Sequence, residues 1–338
     1  LTDEQASHLV SCAMQDNRNK YLQDISSEDH KERVNKNALP VVDEEGRMVG
    51  PEFSAQIAAQ RKRLVEEGCP EKVVEEIIGV VREYPKLFDG NLLIPSSLDK
   101  YVVELREDCG EPPCAKARPL PRDRREWLDK ATKNLEKVGI ITRLGGSKAA
   151  SVNPMYLDAT ATMQQEGVSI SPIVLAQKAG KKGKIDWRMC MDLSRQNKRE
   201  KKATYRSPTL QELREVAQDS NSYFVLDLMK GYFQIPLAEE SKKHFVFICP
   251  LGEGNAKFQL NRVPMGGLNS APHLQQCMES LLGNIKGIGC YQDDILGCAK
   301  TSTSHVEKLR TVFSRLQEKG LKLQLEKVTL WAREVVFV

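Results

Sequence analysis

With 338 residues and a hydrophobic share of 40%, the chain is long enough to bury a substantial core and to hold more than one structural unit. No run of eighteen apolar residues occurs, so the sequence predicts no transmembrane helix and no membrane partner. The chain begins at Leu1 without an initiator Met or a secretory signal pattern, which predicts a fragment or a processed piece of a longer protein. Its nine cysteines are scattered without a CxxC pair, which argues against zinc and favours a reducing intracellular compartment, cytoplasmic or nuclear.

The net charge of +4 conceals an uneven distribution along the chain. Residues 1–110 carry 14 Lys+Arg against 22 Asp+Glu, whereas residues 111–338 carry 36 against 24. A basic excess attracts phosphate backbones, because neutralising them releases condensed counterions. Ordinary solvated surface charge explains the same numbers, so charge alone does not identify a nucleic-acid-binding protein.

The first part of the chain is predicted to be a leader segment. Residues 1–50 are polar and acidic, which predicts a flexible or weakly helical segment. Helical patterns follow at 54–67 and from Pro70 to Tyr84, and a strand is predicted over Tyr101–Leu105. We therefore assign residues 1–83 to an acidic leader or connector that is partly helical or disordered.

The rest of the chain alternates between helical and strand patterns, which predicts an α+β fold with strands flanked by helices. The predicted helices are 122–138, 207–218, 270–282, and one from Ser304 to Gly320 in which Ser304 and Glu307 have capping-box spacing. The predicted strands are Ile173–Leu175, Arg188–Met191, Tyr223–Leu228, His244–Ile248, Gly287–Tyr291, Ile295–Ala299 and Leu321–Leu325.

Three acidic residues occupy positions suited to metal chemistry. Asp227 ends an apolar strand, and Asp293 and Asp294 lie in a tight turn between two apolar strands. If these strands share a sheet, the three carboxylates approach one another and need a compensating cation. Hard divalent ions such as Mg²⁺ take carboxylate and phosphate oxygens, and a pair of them supports phosphoryl transfer. Aspartates are also common in turns and at strand ends, so the spacing alone leaves a purely structural role open.

The sequences around these acids carry a resemblance to a known family. Phe224-Val-Leu-Asp-Leu-Met-Lys-Gly-Tyr-Phe-Gln-Ile and Cys290-Tyr-Gln-Asp-Asp-Ile-Leu resemble the two metal-binding motifs of reverse transcriptases, particularly those of gypsy-type LTR retrotransposons. Three further segments are similar to motifs of the same family and occur in the same order: Trp187-Arg-Met-Cys-Met-Asp, Val263-Pro-Met-Gly-Gly-Leu-Asn-Ser-Ala-Pro and Gly320-Leu-Lys-Leu-Gln-Leu-Glu-Lys. The resemblance covers about 84–338 and implies the fingers and palm of a polymerase, with an antiparallel palm sheet flanked by helices.

The resemblance implies an RNA-directed DNA polymerase that extends a primer on an RNA or DNA template. Asp227, Asp293 and Asp294 would hold two Mg²⁺ ions, with Mn²⁺ as a substitute. Deoxynucleoside triphosphates would be the substrates and a template–primer duplex the macromolecular partner. Activity would also involve the thumb and RNase H regions of a longer polyprotein, because the family pattern continues beyond Val338.

Nucleotide-binding roles are implied for seven further positions. Arg188 and Lys178 would clamp the triphosphate, and residues 178–202 hold ten Lys/Arg against three acids. Tyr232 would exclude the ribose 2′-hydroxyl sterically, and Lys327 would assist proton transfer to pyrophosphate. The floor of the nucleotide site would be formed by Met265, Gly266 and Gly267, where glycine allows close backbone approach.

Two alternatives to the polymerase stay open at this point. A degenerate domain of the same ancestry could bind nucleic acid or a protein without catalysis, and a two-metal nuclease could use similar acids. Residues 145–170, rich in Ser, Ala, Thr and Gln, are interpreted as an insertion into the fingers. We assign residues 84–338 to the fingers and palm, truncated before the thumb.

Overall fold

A computed structural model describes residues 52–144, 166–179, 185–251 and 254–335, so the predicted leader over 1–50 and most of the predicted insertion lie outside the described residues. The helices in chain order are α1 (Phe53–Glu66), α2 (Glu71–Glu83), α3 (Arg122–Lys137), α4 (Ser194–Asn197), α5 (Leu210–Ala217), α6 (Gly231–Gln234), α7 (Glu239–Lys242), α8 (Ser270–Leu282) and α9 (Ser302–Glu318).

The strands form two sheets. They are β1 (Ile141–Leu144), β2 (Ile170–Ala179), β3 (Ile185–Met191), β4 (Ser222–Asp227), β5 (Val246–Leu251), β6 (Gly254–Leu260), β7 (Ile288–Tyr291), β8 (Asp294–Ala299) and β9 (Thr329–Ala332). The five-stranded sheet has the order β1-β6-β5-β2-β3, and the four-stranded sheet has the order β7-β8-β4-β9. All pairings are antiparallel except β2 with β5, so the described residues form an α+β fold, as the sequence predicts.

The centre of the four-stranded sheet is packed tightly because of one glycine. Strand β4 alternates buried and half-buried side chains, which is the pattern of a strand that carries most of its packing on one face. Phe224 on β4 is fully buried and pairs in register with Gly297 on β8. A Cβ atom added at Gly297 would lie 2.0 Å from the Phe224 ring, so only glycine leaves room for this aromatic side chain.

Helices α1 and α2 belong to the same hydrophobic core as the four-stranded sheet. Helix α2 buries an aliphatic stripe that includes Ile77 and Ile78, and it packs against α9. The Gln60 side chain of α1 donates to the backbone carbonyls of Leu325 and, at 3.2 Å, of Val328. The part of the predicted leader that is described, 52–83, is therefore integrated into the domain, while the domain boundary at residue 83 stays a prediction.

Two predicted strands are wrong. Tyr101–Leu105 forms only two isolated bridges, from Tyr101 to Leu237 and from Leu105 to Glu200, because its ends contact different segments. Leu321–Leu325 likewise makes one bridge, Leu323 with Leu228, and the strand of this region begins later, at Thr329. The three leucines are buried alternately, so the periodicity predicted their burial correctly but not a ladder of hydrogen bonds.

The N-terminus of the last helix also differs from the prediction. Its N-cap is Thr301, whose hydroxyl accepts from the Ser304 N–H at 3.2 Å, and the helix begins at Ser302. The predicted capping box of Ser304 and Glu307 is therefore wrong. The hydroxyl-rich sequence Thr301-Ser-Thr-Ser offers several residues with capping chemistry, and spacing alone does not choose among them. By contrast, α5 has a complete capping box: the Thr209 hydroxyl accepts from the Glu212 N–H, and the Glu212 carboxylate accepts from the Thr209 N–H.

Candidate active site

The three predicted acidic residues lie at one end of the four-stranded sheet. Asp227 is the last residue of β4 and Asp294 the first of β8, and the two are direct cross-strand partners. The α-carbons of such partners are about 4.5–5.5 Å apart. Asp293 immediately precedes Asp294 in the β7–β8 turn. The sheet register thus brings together acids that are 66 residues apart in sequence.

The turn that carries Asp293 and Asp294 is a two-residue hairpin with an unusual backbone. Tyr291 pairs with Asp294, so Gln292 and Asp293 form the loop. Gln292 has φ +54°, in the left-handed region that side chains other than glycine and asparagine rarely adopt. The Asp293 carbonyl accepts from the Leu228 N–H at 3.0 Å, which ties the turn to the chain leaving β4.

Gly231 allows that close approach. A Cβ atom at this position would lie 3.3 Å from the Cβ of Asp293 and also 3.3 Å from that of Leu228, which is tighter than ordinary van der Waals contact. The absence of a side chain at Gly231 therefore lets the segment after β4 pack directly on the carboxylate turn.

Lys327 lies beside the first carboxylate. Its Nζ donates to Asp227 Oδ2 at 3.2 Å, and the Asp227 side chain is 23% exposed against 55% for that of Lys327. The Asp227 backbone carbonyl accepts from the Gln324 N–H at 3.1 Å, so the loop before β9 brings Lys327 to the site. A positive charge therefore already balances part of the carboxylate charge.

Tyr232 lies under the same turn. It is 5% exposed, and its hydroxyl donates to the Gln292 side-chain carbonyl at 3.0 Å. Burial raises the pKa of Tyr232 well above its usual range, and the negative charge of Asp293 raises it further. The phenol therefore stays protonated and available as a hydrogen-bond donor, and its ring is held next to the carboxylates.

The two predicted triphosphate ligands lie on the other sheet. Arg188 on β3 is 9% exposed. Burial raises the pKa of the Cys190 thiol, while the positive charges of Arg188 and Lys230 oppose that rise. Both cations therefore lie near one thiol, and Lys230 is three residues beyond Asp227. Lys178 lies on strand β2, and its side chain is outside the described part of the structure.

The predicted nucleotide floor is a loop held by one asparagine. The side-chain amide of Asn197 donates to the Gly266 carbonyl at 2.8 Å, and its oxygen accepts from the Leu268 N–H at 3.0 Å. Gly266 has φ +86°, and a Cβ at Gly267 would lie 2.5 Å from the Ser270 hydroxyl. The glycines therefore set the backbone shape of the loop over Met265, Gly266 and Gly267. Asn197, the last residue of α4, holds this loop by two hydrogen bonds.

Sequence reasoning missed Gln275, which contacts the carboxylate turn directly. This α8 residue is fully buried, and its side-chain oxygen accepts from the Gln292 N–H at 2.6 Å. The available signal was its position: Gln275 shares the inward helical stripe of Met278 and Leu282, and a glutamine on an apolar stripe needs buried polar partners.

The donor set suits a hard cation. Mg²⁺ is usually held by one or two carboxylates together with substrate phosphates and water, not by a complete protein cage. Within the described ranges no three His, Cys, Asp or Glu side chains form a group that could hold a metal ion, so a cation here would also need substrate phosphates or water as ligands. Asp227 and Asp294 supply adjacent carboxylates, and the Lys327 ammonium on Asp227 shows that this position accommodates a cation. The residues therefore fit Mg²⁺.

Comparison with known sequences shows which family this site resembles. Residues 178–338, which include all three carboxylates and the glycine loop, match the family described as reverse transcriptase (RNA-dependent DNA polymerase). Residues 178–338, just under half of the chain, are thus similar to reverse transcriptases. This match agrees with the resemblance drawn from the individual motifs.

Three curated relatives of this chain are polyproteins of transposons. The retrovirus-related Pol polyprotein from transposon 297 of Drosophila melanogaster is 28% identical over 167 residues, covering 49% of this chain and 15% of that protein. That from transposon opus of the same fly is 24% identical over 80% of this chain and 25% of that protein. The transposon Tf2-3 polyprotein of Schizosaccharomyces pombe is 27% identical over 52% of this chain and 13% of that protein. The chain thus spans at most a quarter of the length of these three relatives.

Solved structures establish the architecture. The foamy viral protease-reverse transcriptase in complex with an RNA/DNA hybrid superposes with a TM-score of 0.66 at 20% identity, covering 83% of this chain and 34% of that one. The foamy viral protease-reverse transcriptase in complex with dsDNA superposes with a TM-score of 0.67 at 20% identity, covering 86% of this chain and 55% of that one. In the terms of that fold, the four-stranded sheet with the carboxylates is the palm and the five-stranded sheet belongs to the fingers. Within the described residues no helix is both long and apolar enough to cross a lipid bilayer.

Proposed function

We propose that this domain is the RNA-directed DNA polymerase of a gypsy-type LTR retrotransposon, adding deoxynucleotides to a primer 3′ end on an RNA or DNA template. The observation that carries the proposal is the cross-strand pairing of Asp227 with Asp294, with Asp293 in the adjoining turn. The gypsy-type assignment rests on the motif sequences, and the transposon relatives support a retroelement origin.

The carboxylates would hold two Mg²⁺ ions, or Mn²⁺ as a substitute. When bound, such ions lower the pKa of the attacking hydroxyl and neutralise charge on the triphosphate. Asp227 and Asp294 fix the two ends of the site on rigid strands, so little reorganisation is needed for substrate alignment. Lys327 would exchange its contact with Asp227 for one with the pyrophosphate leaving group.

The remaining residues would bind the nucleotide. Arg188 and Lys178 would contact the triphosphate from the fingers, and the basic segment 178–202 supports this role by its charge. Tyr232 would lie beneath the sugar, where its buried ring leaves no space for a 2′-hydroxyl. The loop of Met265, Gly266 and Gly267 would form the floor. Template and primer follow from the RNA/DNA hybrid and dsDNA that the foamy viral enzymes bind.

Primer extension tests the proposal. The chain is given a labelled DNA primer on RNA and DNA templates, the four deoxynucleoside triphosphates and Mg²⁺ or Mn²⁺. Extension is expected with the unchanged chain, and Asp294→Asn is expected to lower its rate at least about a hundredfold, because a neutral amide cannot hold the cation.

Asp219→Asn is the matched control for that change. Asp219 is exposed, adopts φ +56°, and lies in the turn before β4, at the far end of the strand from Asp227. Asparagine tolerates this backbone conformation, so extension by this variant should be unchanged. Duplex binding without extension by the unchanged chain would favour the non-catalytic alternative, and strand cleavage without nucleotides would favour a nuclease.

A further inference from the structure

The buried Gln275 forms a hydrogen-bonded support for the carboxylate turn. Its Nε2 donates to the Cys290 carbonyl at 2.8 Å and to Glu279 Oε1 at 2.6 Å, while its Oε1 accepts from the Gln292 N–H at 2.6 Å. Three bonds from a fully buried amide offset the cost of removing it from water.

The chemistry of the partners fixes the orientation of this amide. A carboxylate and a carbonyl are both acceptors, so the NH₂ group of Gln275 must face Glu279 and Cys290. The oxygen must then face the one donor, the Gln292 N–H. Reversing the amide would set oxygen against two acceptors, and no other orientation satisfies the three groups.

The support extends in both directions from Gln275. Glu279 Oε2 accepts from the Tyr205 hydroxyl, which lies in the segment between the fingers strand β3 and helix α5. At the other end, Gln292 Oε1 accepts from the Tyr232 hydroxyl at 3.0 Å. A continuous chain of hydrogen bonds therefore connects Tyr205, through Glu279, Gln275 and Gln292, to the residue proposed to exclude ribose.

The turn needs such support because its backbone is strained. Gln292 adopts φ +54° without being glycine or asparagine, a conformation that persists only where the surroundings hold it. The Gln292 N–H donates to the Gln275 side chain, and the Gln292 side-chain oxygen accepts from the Tyr232 hydroxyl. The carbonyl of the next residue accepts from the Leu228 N–H at 3.0 Å. Asp293 and Asp294 follow directly, so the position of both carboxylates depends on these contacts.

We propose that Gln275, oriented by Glu279, is a positioning residue that holds the carboxylate turn and, through Gln292, the ring of Tyr232 in the geometry that selects deoxynucleotides. This inference rests on the proposed polymerase function, since it assigns sugar selectivity to a contact within that site. Gln275 itself touches neither substrate nor metal. Its effect passes through the Gln292 backbone and side chain.

The test compares Gln275→Met with Gln276→Met. Both changes replace a helical glutamine by a side chain of similar length, but Gln276 is exposed and lies off the turn. The first measurement is hydrogen exchange of the Gln292 amide, which should accelerate about tenfold or more in Gln275→Met because its acceptor is gone. The second is the ratio of kcat/KM for deoxy- and ribonucleotide incorporation, which should fall about tenfold. Gln276→Met should leave both unchanged.

A second pair of variants covers the case in which Gln275→Met fails to fold. Gln292 is only partly buried, so Gln292→Met removes the acceptor for Tyr232 with little loss of packing. It should reduce sugar discrimination, whereas Gln292→Glu keeps an acceptor and should restore it. A merely structural role would lower the melting temperature without changing the discrimination ratio.

The outcomes separate this inference from the proposed function. No primer extension by the unchanged chain would overturn the polymerase, while the exchange rate of the Gln292 amide would still decide whether Gln275 holds the turn. If a folded Gln275→Met keeps slow exchange and full discrimination, the positioning role is wrong.

Discussion

At the scale of single residues, the ion pair of Lys327 and Asp227 gives the site a built-in competitor for metal binding. The ammonium donates to Asp227 Oδ2 at 3.2 Å, so a divalent ion must displace it or share the carboxylate with it. Lys327 is 55% exposed, and solvent-exposed pairs of this kind contribute only about 0.2–1 kcal/mol. A divalent ion should therefore displace the Lys327 ammonium from Asp227 at a small cost in affinity, and that cost is large enough to measure.

We predict that Lys327→Met binds Mn²⁺ about two- to fivefold more tightly than the unchanged chain, because the competing cation is removed. Electron paramagnetic resonance of free Mn²⁺ measures the dissociation constant directly. Lys300→Met, an exposed lysine just beyond the far end of β8, should leave that constant unchanged. Unchanged Mn²⁺ affinity combined with slower nucleotide addition would instead assign Lys327 to the leaving group alone.

At the scale of elements, the palm sheet depends on the contact of Phe224 with Gly297. The two residues are cross-strand partners on the central strands, and a Cβ at Gly297 would overlap the ring at 2.0 Å. The same two strands carry Asp227 and Asp294. Packing at the sheet centre therefore acts on the site at its end.

We predict that Gly297→Ala lowers the free energy of unfolding by about 1–3 kcal/mol, the usual cost of overpacking a core. Combining it with Phe224→Leu should recover part of this loss, because the smaller leucine side chain leaves room for the added methyl group. Urea denaturation measures the free energy of unfolding of the single and the double variant. Gly79→Ala is the control: this helical glycine has nothing within 4 Å of an added Cβ, so it should gain roughly 0.5–1 kcal/mol. Equal effects at the two glycines would contradict the packing argument.

Elements with local signals were predictable from the sequence, and elements defined by their partners were not. Helices α2 and α8 begin and end within one or two residues of the predicted bounds, because their stripes and boundary residues are encoded locally. The segment Leu321–Leu325 alternates like a strand but pairs at one residue only. Its backbone groups contact Leu87 and Asp227, which no local pattern reveals.

The same distinction applies to the candidate site. The apolar patterns placed Asp227 at a strand end and Asp293 and Asp294 in a turn, yet their proximity depends on the register of β4 with β8, a long-range property. Gln275 was missed because its function lies in the partners of a side chain that, in sequence, is one of two adjacent glutamines. Its place on the apolar stripe of α8 predicts burial, but only the fold shows that its partner is the carboxylate turn.

At the scale of the whole molecule, helices α1 and α2 determine how much of the chain is needed for folding. Six α2 side chains are buried, and they pack with α9, which itself lies on the palm strands β4 and β8. An exposed ion pair of Glu83 with Arg310, at 2.9 Å, joins the same two helices. The N-terminal helices therefore cover the core that supports the carboxylate strands, on the side formed by α9.

We predict that a chain beginning at residue 84 fails to fold cooperatively, whereas one beginning at residue 52 folds like the full chain. Each fully buried aliphatic side chain contributes about 1.5–3 kcal/mol, and whole domains are stable by only about 5–15 kcal/mol. Losing the six buried side chains of α2 would thus remove most of that margin and expose the apolar face of α9. Thermal unfolding followed by circular dichroism compares the two chains. A cooperative transition of the shorter chain within a few degrees of the longer one would show that residues 84–338 fold on their own, and that α1 and α2 are an accessory connector.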